Sequence, residues 1–442
     1  MGEPREVDEQ QRILLFWWML ELFSPQQVPK LTLRSTRPVD RQVIEWSPEP
    51  SGAPLPWETL APPKPLNGTR RVWQHTVYLG VYEMEATYES LHRVFGDDTD
   101  AYDERPGGLS ACAGLLVDQD GRLVAKSAVL SSALWAVARI HDPGPENPHW
   151  AEGFEQAQDE FADAADDYEG DRREKSSEEQ APVLDTASLR GLLKVAHECA
   201  GIEGFDVLAT HRLVIQTVAI PARHAVDSAA NDFLNSFYLD DLTAVRSRVA
   251  AQAAGPALAA YLTGDASLKV DDRVDVVTAP RTVDVAASID RLPLGRWPSK
   301  PQHALALSQQ FAVNQALNDL ALTRGLMGVN GPPGTGKTTM VRDILAGNVV
   351  ERARRLAALA KPEDAFTTTT HRWTANDGHP RRVRQLRPNL TGFEMVVASA
   401  NNAAVENVTI EIPAQKAIED PWRGTANYFG LSGRFRGWSL DA

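Results

Sequence analysis

The sequence predicts an α/β chain, with mixed α+β regions leading into a strand–loop–helix unit near the C-terminal end. The apolar run Gly325-Leu326-Met327-Gly328-Val329 reads as a strand and enters a loop of glycines and prolines. Behind the loop, Met340, Val341, Ile344, Leu345, Val349 and Ala353 recur at helical spacing. Far upstream, residues 72–81 and 213–220 are strand-like runs.

A length of 442 residues suits about three domains. Hydrophobic residues make up 43% of the chain, enough to bury real cores. Cys112 and Cys199 cannot build a disulfide framework, which points to a reducing compartment. The apolar run at 13–23 contains Trp17, Trp18 and Glu21. It is too short to span a bilayer and has no basic flank or cleavage site, so it reads as a docking helix for this protein or a partner. Glu6 stands where N-myristoylation needs Ser or Thr. A cytoplasmic protein without a membrane partner is expected.

Net charge is −14, which argues against a protein that coats nucleic acid along its whole length. The charge is uneven. From Arg291 onward there are 19 basic and 12 acidic residues, a net of +7, which leaves −21 for the rest.

Four regions are expected: residues 1–150, an acidic linker at 151–182, an α+β region at 183–300, and the loop-bearing region at 301–442. Within the first, Leu115 to Val124 reads as a hairpin turning at Asp118-Gln119-Asp120-Gly121. Those aspartates lack the rest of a calcium-loop ligand set and read as a plain turn. The linker carries Asp159, Glu160, Asp163, Asp166 and Asp167, as a solvated helix face or a flexible tether would. In the third region, Asp185 or Thr186 caps a helix bearing Leu189, Leu192, Leu193 and Ala196, on which His197 and Cys199 read as packing residues. Residues 233–249 read as a helix, so Asp240-Asp241 are not a metal-binding strand end.

The loop reads Gly331-Pro332-Pro333-Gly334-Thr335-Gly336-Lys337-Thr338, with Thr339 after it. It fits the phosphate-binding pattern G-x-x-x-x-G-K-[ST] in the required strand-to-helix context. Glycines let backbone N–H groups approach phosphate oxygens, and the helix adds the positive end of its dipole. Lys337 is expected on the β- and γ-phosphates of ATP, and the Thr338 hydroxyl on Mg²⁺. These two are the candidate catalytic residues. The prolines stiffen the turn.

The flanks narrow the class. Ser308-Gln309-Gln310-Phe311-Ala312-Val313 precedes the loop on a short helix. After it, Val396-Val397-Ala398-Ser399 ends an apolar strand, followed by Asn401-Asn402-Ala403-Ala404-Val405-Glu406. With the loop, these resemble the start of a superfamily 1 helicase, in the branch containing the nonsense-mediated-decay helicase and its bacterial relatives. There a Q-x-x-A-V element precedes the loop and an S-N-x-A-V-[DE] element ends the next strand. The likeness covers about residues 309–408. It implies a RecA-like domain at 301–442, adenine reading by Gln309, and contact of Asn402, Ala404 and Val405 with single-stranded DNA or RNA. Asn401 replaces the usual Ser. Between the elements, residues 364–390 form an insertion with Arg372, Trp373, Arg381, Arg382, Arg384 and Arg387. Arginines beside an aromatic suit a nucleic-acid backbone and a stacked base, and equally a solvated basic loop.

Phosphoryl transfer also needs an acidic strand end and an arginine finger. After Val405 no apolar strand ends in Asp-Glu, and Glu419-Asp420 is followed at once by Pro421. The expectation is an incomplete RecA-like domain, the N-terminal part of a longer helicase, with little turnover of its own. A nucleotide-sensing module whose N-terminal region binds a protein partner is the alternative.

Overall fold

The computed structural model describes residues 4–32, 40–47, 54–66, 68–96, 107–175, 182–225, 233–264, 267, 273–300, 303–320, 325–332, 334–375, 378–399 and 418–426. The chain is mixed α/β and divides into two compact units, Met1–Ala254 and Gly255–Ala442.

The first unit runs α1 (Pro4–Leu22), β1 (Arg41–Trp46), α2 (Pro56–Thr59), β2 (Arg71–Glu83), α3 (Met84–Phe95), β3 (Leu109–Val117), β4 (Val129–Leu130), α4 (Ser132–His141), α5 (Phe154–Lys175), α6 (Thr186–Ala200), β5 (Leu213–Pro221) and α7 (Tyr238–Ala250). Its sheet has the order β1-β5-β2-β3-β4, with every pair antiparallel. β2 lies in the middle: Val77 is paired with Ile215 on one side and Leu115 on the other. Both faces of β2 are covered. Val77, Leu79 and Tyr82 join the larger core with α4, α5 and α6, while Tyr78 and Val81 join Val43, Val214 and Leu234 on the reverse face.

One position in β2 needs glycine. Gly80 has φ +63°, and a Cβ there would stand 3.0 Å from Cys112 Cβ and 3.1 Å from His197 Nε2. The strand register passes over it, from Leu79↔Ala113 to Val81↔Ala111. The packing role expected of His197 is therefore met: it is buried against β2.

The expected boundary at 151–182 falls inside this unit. α5 turns Glu155, Asp159, Glu160, Asp163 and Asp167 to solvent but buries Phe154, Ala157, Phe161 and Ala165 in the core. Gln158 fixes it to the sheet edge, accepting from Leu130 N at 2.7 Å and donating to Ala128 O at 2.9 Å. Covering an edge strand in this way protects its unpaired backbone groups. Likewise, β5 pairs with both β1 and β2, so residues from the expected third region complete the sheet begun in the first.

α1 docks within this protein. Leu14, Trp18 and Leu22 are buried, Gln11 Nε2 donates to Arg246 O of α7 at 2.9 Å, and the Arg246 guanidinium lies over Trp18. Asp185 caps α6 by accepting from Ser188 N at 2.8 Å. The turn after β3 is plain. Asp118 Oδ1 accepts from Asp120 N and Arg122 N, and only a single bridge joins Val117 to Leu123. The expected hairpin is reduced to that bridge and two hydrogen bonds, Val124 N to Leu116 O and Asp118 N to Arg122 O, and β3 pairs further back with β4. Cys112 and Cys199 are free thiols. Among the described residues no helix is long and apolar enough to cross a membrane.

The second unit contains α8 (Pro256–Tyr261), α9 (Arg281–Ala286), α10 (Leu307–Asn314) continued by a π-helical turn (Gln315–Leu320), α11 (Lys337–Ala357), β6 (Phe366–Thr374) and β7 (Pro380–Leu386). Among its described residues, β6 and β7 form the only sheet. The strands expected at 325–329 and 393–400 are not formed over their described residues. A strand needs a hydrogen-bonding neighbour, and among the described residues none flanks either segment. Met327 packs against the cluster of Ala312, Val313 and Met340, but Leu326 is 50% and Val396 93% exposed. The insertion, expected as a loop, is instead the β6–β7 hairpin.

His75 yields a test. Its ring is fully buried, with Nδ1 2.8 Å from Thr217 Oγ1 and Nε2 without a hydrogen-bond partner. Burial pushes its pKa down to about 4. The folded state thus holds the ring neutral. This contribution is complete above the unfolded value of about 6.5 and is lost as pH falls toward 4, a change of about 3 kcal/mol. His75→Gln is expected to flatten that part of the pH–stability profile in denaturant titrations; an unchanged profile would remove His75 as its source.

Candidate phosphate-binding site

α11 begins at Lys337, directly behind the glycine loop. Its N-cap, Gly336, adopts the left-handed conformation (φ +76°, ψ 32°) and supplies no side-chain cap. The first-turn N–H groups therefore have no capping side chain and open toward the loop, where they suit an anion. Gly334 is also left-handed, with φ +84°. Lys337, Thr338, Thr335 and Gly334 are exposed, and Thr339 is half-buried. Lys337 Nζ folds back onto the carbonyl oxygens of Gly331 and, at 3.2 Å, of Pro332. Thr335 Oγ1 donates to Pro332 O at 2.9 Å, which tightens the turn.

Gln309 sits against this loop. Its Oε1 accepts from Ala306 N at 2.9 Å and its Nε2 donates to Thr335 O at 2.8 Å. The amide thus joins the start of α10 to the turn before α11. A Cβ on Gly336 would come within 2.4 Å of Gln309 Nε2, so the glycine makes room for the brace. The role implied for Gln309 was adenine reading; the geometry gives its amide a loop-bracing contact at both ends.

The platform beneath is small and apolar. Ala312, Val313 and Met340 are buried, with Leu305, Leu317, Met327 and Ile344 packed around them. Asn314 is buried in a polar relay, accepting from Gln310 Nε2 at 2.7 Å and donating to Ala286 O of α9 at 2.8 Å. Asp343, buried on α11, accepts from Arg296 Nε at 3.0 Å and Trp297 N at 3.1 Å. This tie had no sequence signal, because its partners lie 46 and 47 residues apart. At the far end of α11, Arg354 and Arg355 hold the Glu351 carboxyl down to about 2.

The acidic groups do not assemble around the loop. Glu419 binds Lys300 and His303, and Asp420 binds Arg423 in a short 3₁₀ turn. Among the described residues no cluster of three or more acidic, His or Cys side chains is placed to hold a metal. Thr338 is the side chain expected to reach Mg²⁺. Pro333, Asn402, Ala404 and Val405 lie outside the described residues. Arg381, Arg382 and Arg384 lie on β7, apart from the loop in sequence.

No family model, curated protein or solved structure matches this chain.

The brace is testable in the free protein. Gln309→Ala is expected to speed hydrogen exchange at the Thr335, Gly336 and Lys337 amides while the middle of α11 stays protected. Gly336→Ala is expected to destabilise the unit by about 1–2 kcal/mol through its left-handed conformation. Unchanged exchange in Gln309→Ala would show that the loop holds its shape without the amide.

Proposed function

We propose that the second unit binds ATP with Mg²⁺ through residues 331–338, as the nucleotide-binding part of a superfamily 1-type motor that acts on nucleic acid. The carrying observation is the coincidence of three things: a loop shaped by left-handed glycines, an uncapped helix N-terminus, and the Lys337 ammonium folded onto the loop's own carbonyls. Those carbonyl oxygens occupy the ammonium much as phosphate oxygens would, so ligand exchanges weak acceptors for charged ones. Backbone N–H groups of the first turn would receive the β-phosphate, and Lys337 would span the β- and γ-phosphates. The Thr338 hydroxyl would ligate Mg²⁺, which shares its remaining positions with phosphate oxygens and water and neutralises their charge. The associated fold reading is an incomplete RecA-like domain. Loop, α11 and a second apolar segment at 393–399 follow in the order that the resemblance requires.

Hydrolysis needs more than this cradle. It requires an oriented water and a cation facing the leaving charge. Asp343 is held by Arg296, and among the described residues the segments at 325–329 and 393–399 have no strand neighbours to align an acidic residue beside Thr338. The same observations favour the second reading, a nucleotide-sensing module in which the first unit, with its own complete core, recognises a protein.

Calorimetric titration should show ATP binding that Lys337→Ala weakens about 10- to 100-fold, the effect of one charge-assisted hydrogen-bonding group. Gln309→Ala should weaken ATP and GTP alike; a loss confined to ATP would return the amide to base reading. Turnover by this chain alone should be slow. Robust nucleic-acid-stimulated hydrolysis, abolished by Lys337→Ala, would refute the incomplete-site reading.

A further inference from the structure

The β6–β7 hairpin is a two-stranded ribbon about 30 Å long, given nine residues at strand rise. Its root is anchored. Arg387 N donates to Ala365 O, Leu390 is buried, and Arg355 of α11 donates to Asn389 O while lying over Phe393. Beyond the root, residues 368–374 and 378–385 are exposed. Residues 366–390 contain five arginines and one acidic residue, within a chain of net charge −14.

The register sorts these residues onto two faces. Arg372 is directly opposite Arg382, and Thr370 opposite Arg384. On the other face Trp373 is opposite Arg381, and His371 opposite Val383. Two guanidinium groups facing each other across an antiparallel pair repel. Neither Arg372 nor Arg382 forms an ion pair with a carboxylate among the described residues. Arg384 is steadied over the Phe366 ring at 4.7 Å. Trp373 is 50% exposed near the tip of the reverse face, with Val383, diagonal to it, 53% exposed.

We propose that this arm is a binding site for single-stranded nucleic acid, which deepens the nucleic-acid part of the function proposed above. Phosphates relieve the Arg372–Arg382 repulsion by placing negative charge between or beside the two groups. Trp373 stacks an unpaired base, with Arg381 next to it for the adjoining phosphate. A duplex hides its base faces, so the aromatic face selects single strands. Because the ribbon has open edges, a strand stacked on Trp373 reaches the Arg372–Arg382 face by crossing one of them.

The test is fluorescence anisotropy of a labelled oligothymidylate with the full chain, without nucleotide, over a range of salt. Omitting nucleotide keeps the result readable even if ATP binding fails, and ATP binding by the same variants is measured alongside. Arg372→Ala/Arg382→Ala is expected to make the slope of log affinity against log salt shallower by about 1.4, two single-strand phosphate contacts. Trp373→Ala is expected to weaken binding about tenfold with little change in slope. Arg372→Lys/Arg382→Lys, which keeps the charge, should retain the slope and so separates charge loss from misfolding. Wild-type affinity and slope in both alanine variants would overturn the proposal. So would equal binding of duplex and single strand, or of polyglutamate and oligothymidylate.

Discussion

A peptide group removed from water needs a hydrogen-bond partner, and the pairing of β2 meets that requirement for the whole first unit. It bonds to β3 on one side and β5 on the other, and its side chains feed both cores. The helices follow from this: α4, α5 and α6 cover one face, and Gln158 of α5 secures the short edge strand β4. In the second unit the same requirement is met by helix and hairpin. The segments on either side of α11 and the hairpin, 325–329 and 393–399, have no partner strand among the described residues, and Leu326, Val329, Val396 and Val397 stay exposed. A burial cost of several kcal/mol for unpaired backbone polar groups explains why they are not simply folded inward.

What the sequence revealed depended on the range of the interactions involved. β2, β5, the Asp185 cap and α11 were legible because periodicity and capping are local. The glycine loop ahead of α11 was legible for the same reason, since its glycines and the helix start at Lys337 are contiguous. α5 was legible as a helix with an acidic solvent face, but Phe154, Ala157, Phe161 and Ala165 form a thin stripe in an acidic background, and only packing shows that the stripe is buried. The domain boundary was missed because β5 pairs with strands more than 130 residues earlier in the chain. The facing of Arg372 and Arg382 required the hairpin register, which composition does not supply.

α11 gives the second unit its mechanical logic. It is 21 residues long, about 32 Å at 1.5 Å per residue. Its first residue is Lys337 of the loop, and near its last turn Arg355 grips the root of the hairpin through Asn389 and Phe393. Two turns in from its start, the buried Asp343 is clamped by Arg296 and the Trp297 backbone. A helix tied in this way is a stiff rod, so under the function proposed above a displacement of its N-terminal turn by bound phosphate would be carried to the hairpin root. The Gln309 brace resists that displacement in the free protein, because it ties the turn to α10. Under the proposed function, a ligand that draws Lys337 off Gly331 and Pro332 would act at the turn that Gln309 holds, and one helix joins that turn to the hairpin root, an arrangement by which a local charge event can bias a distant contact.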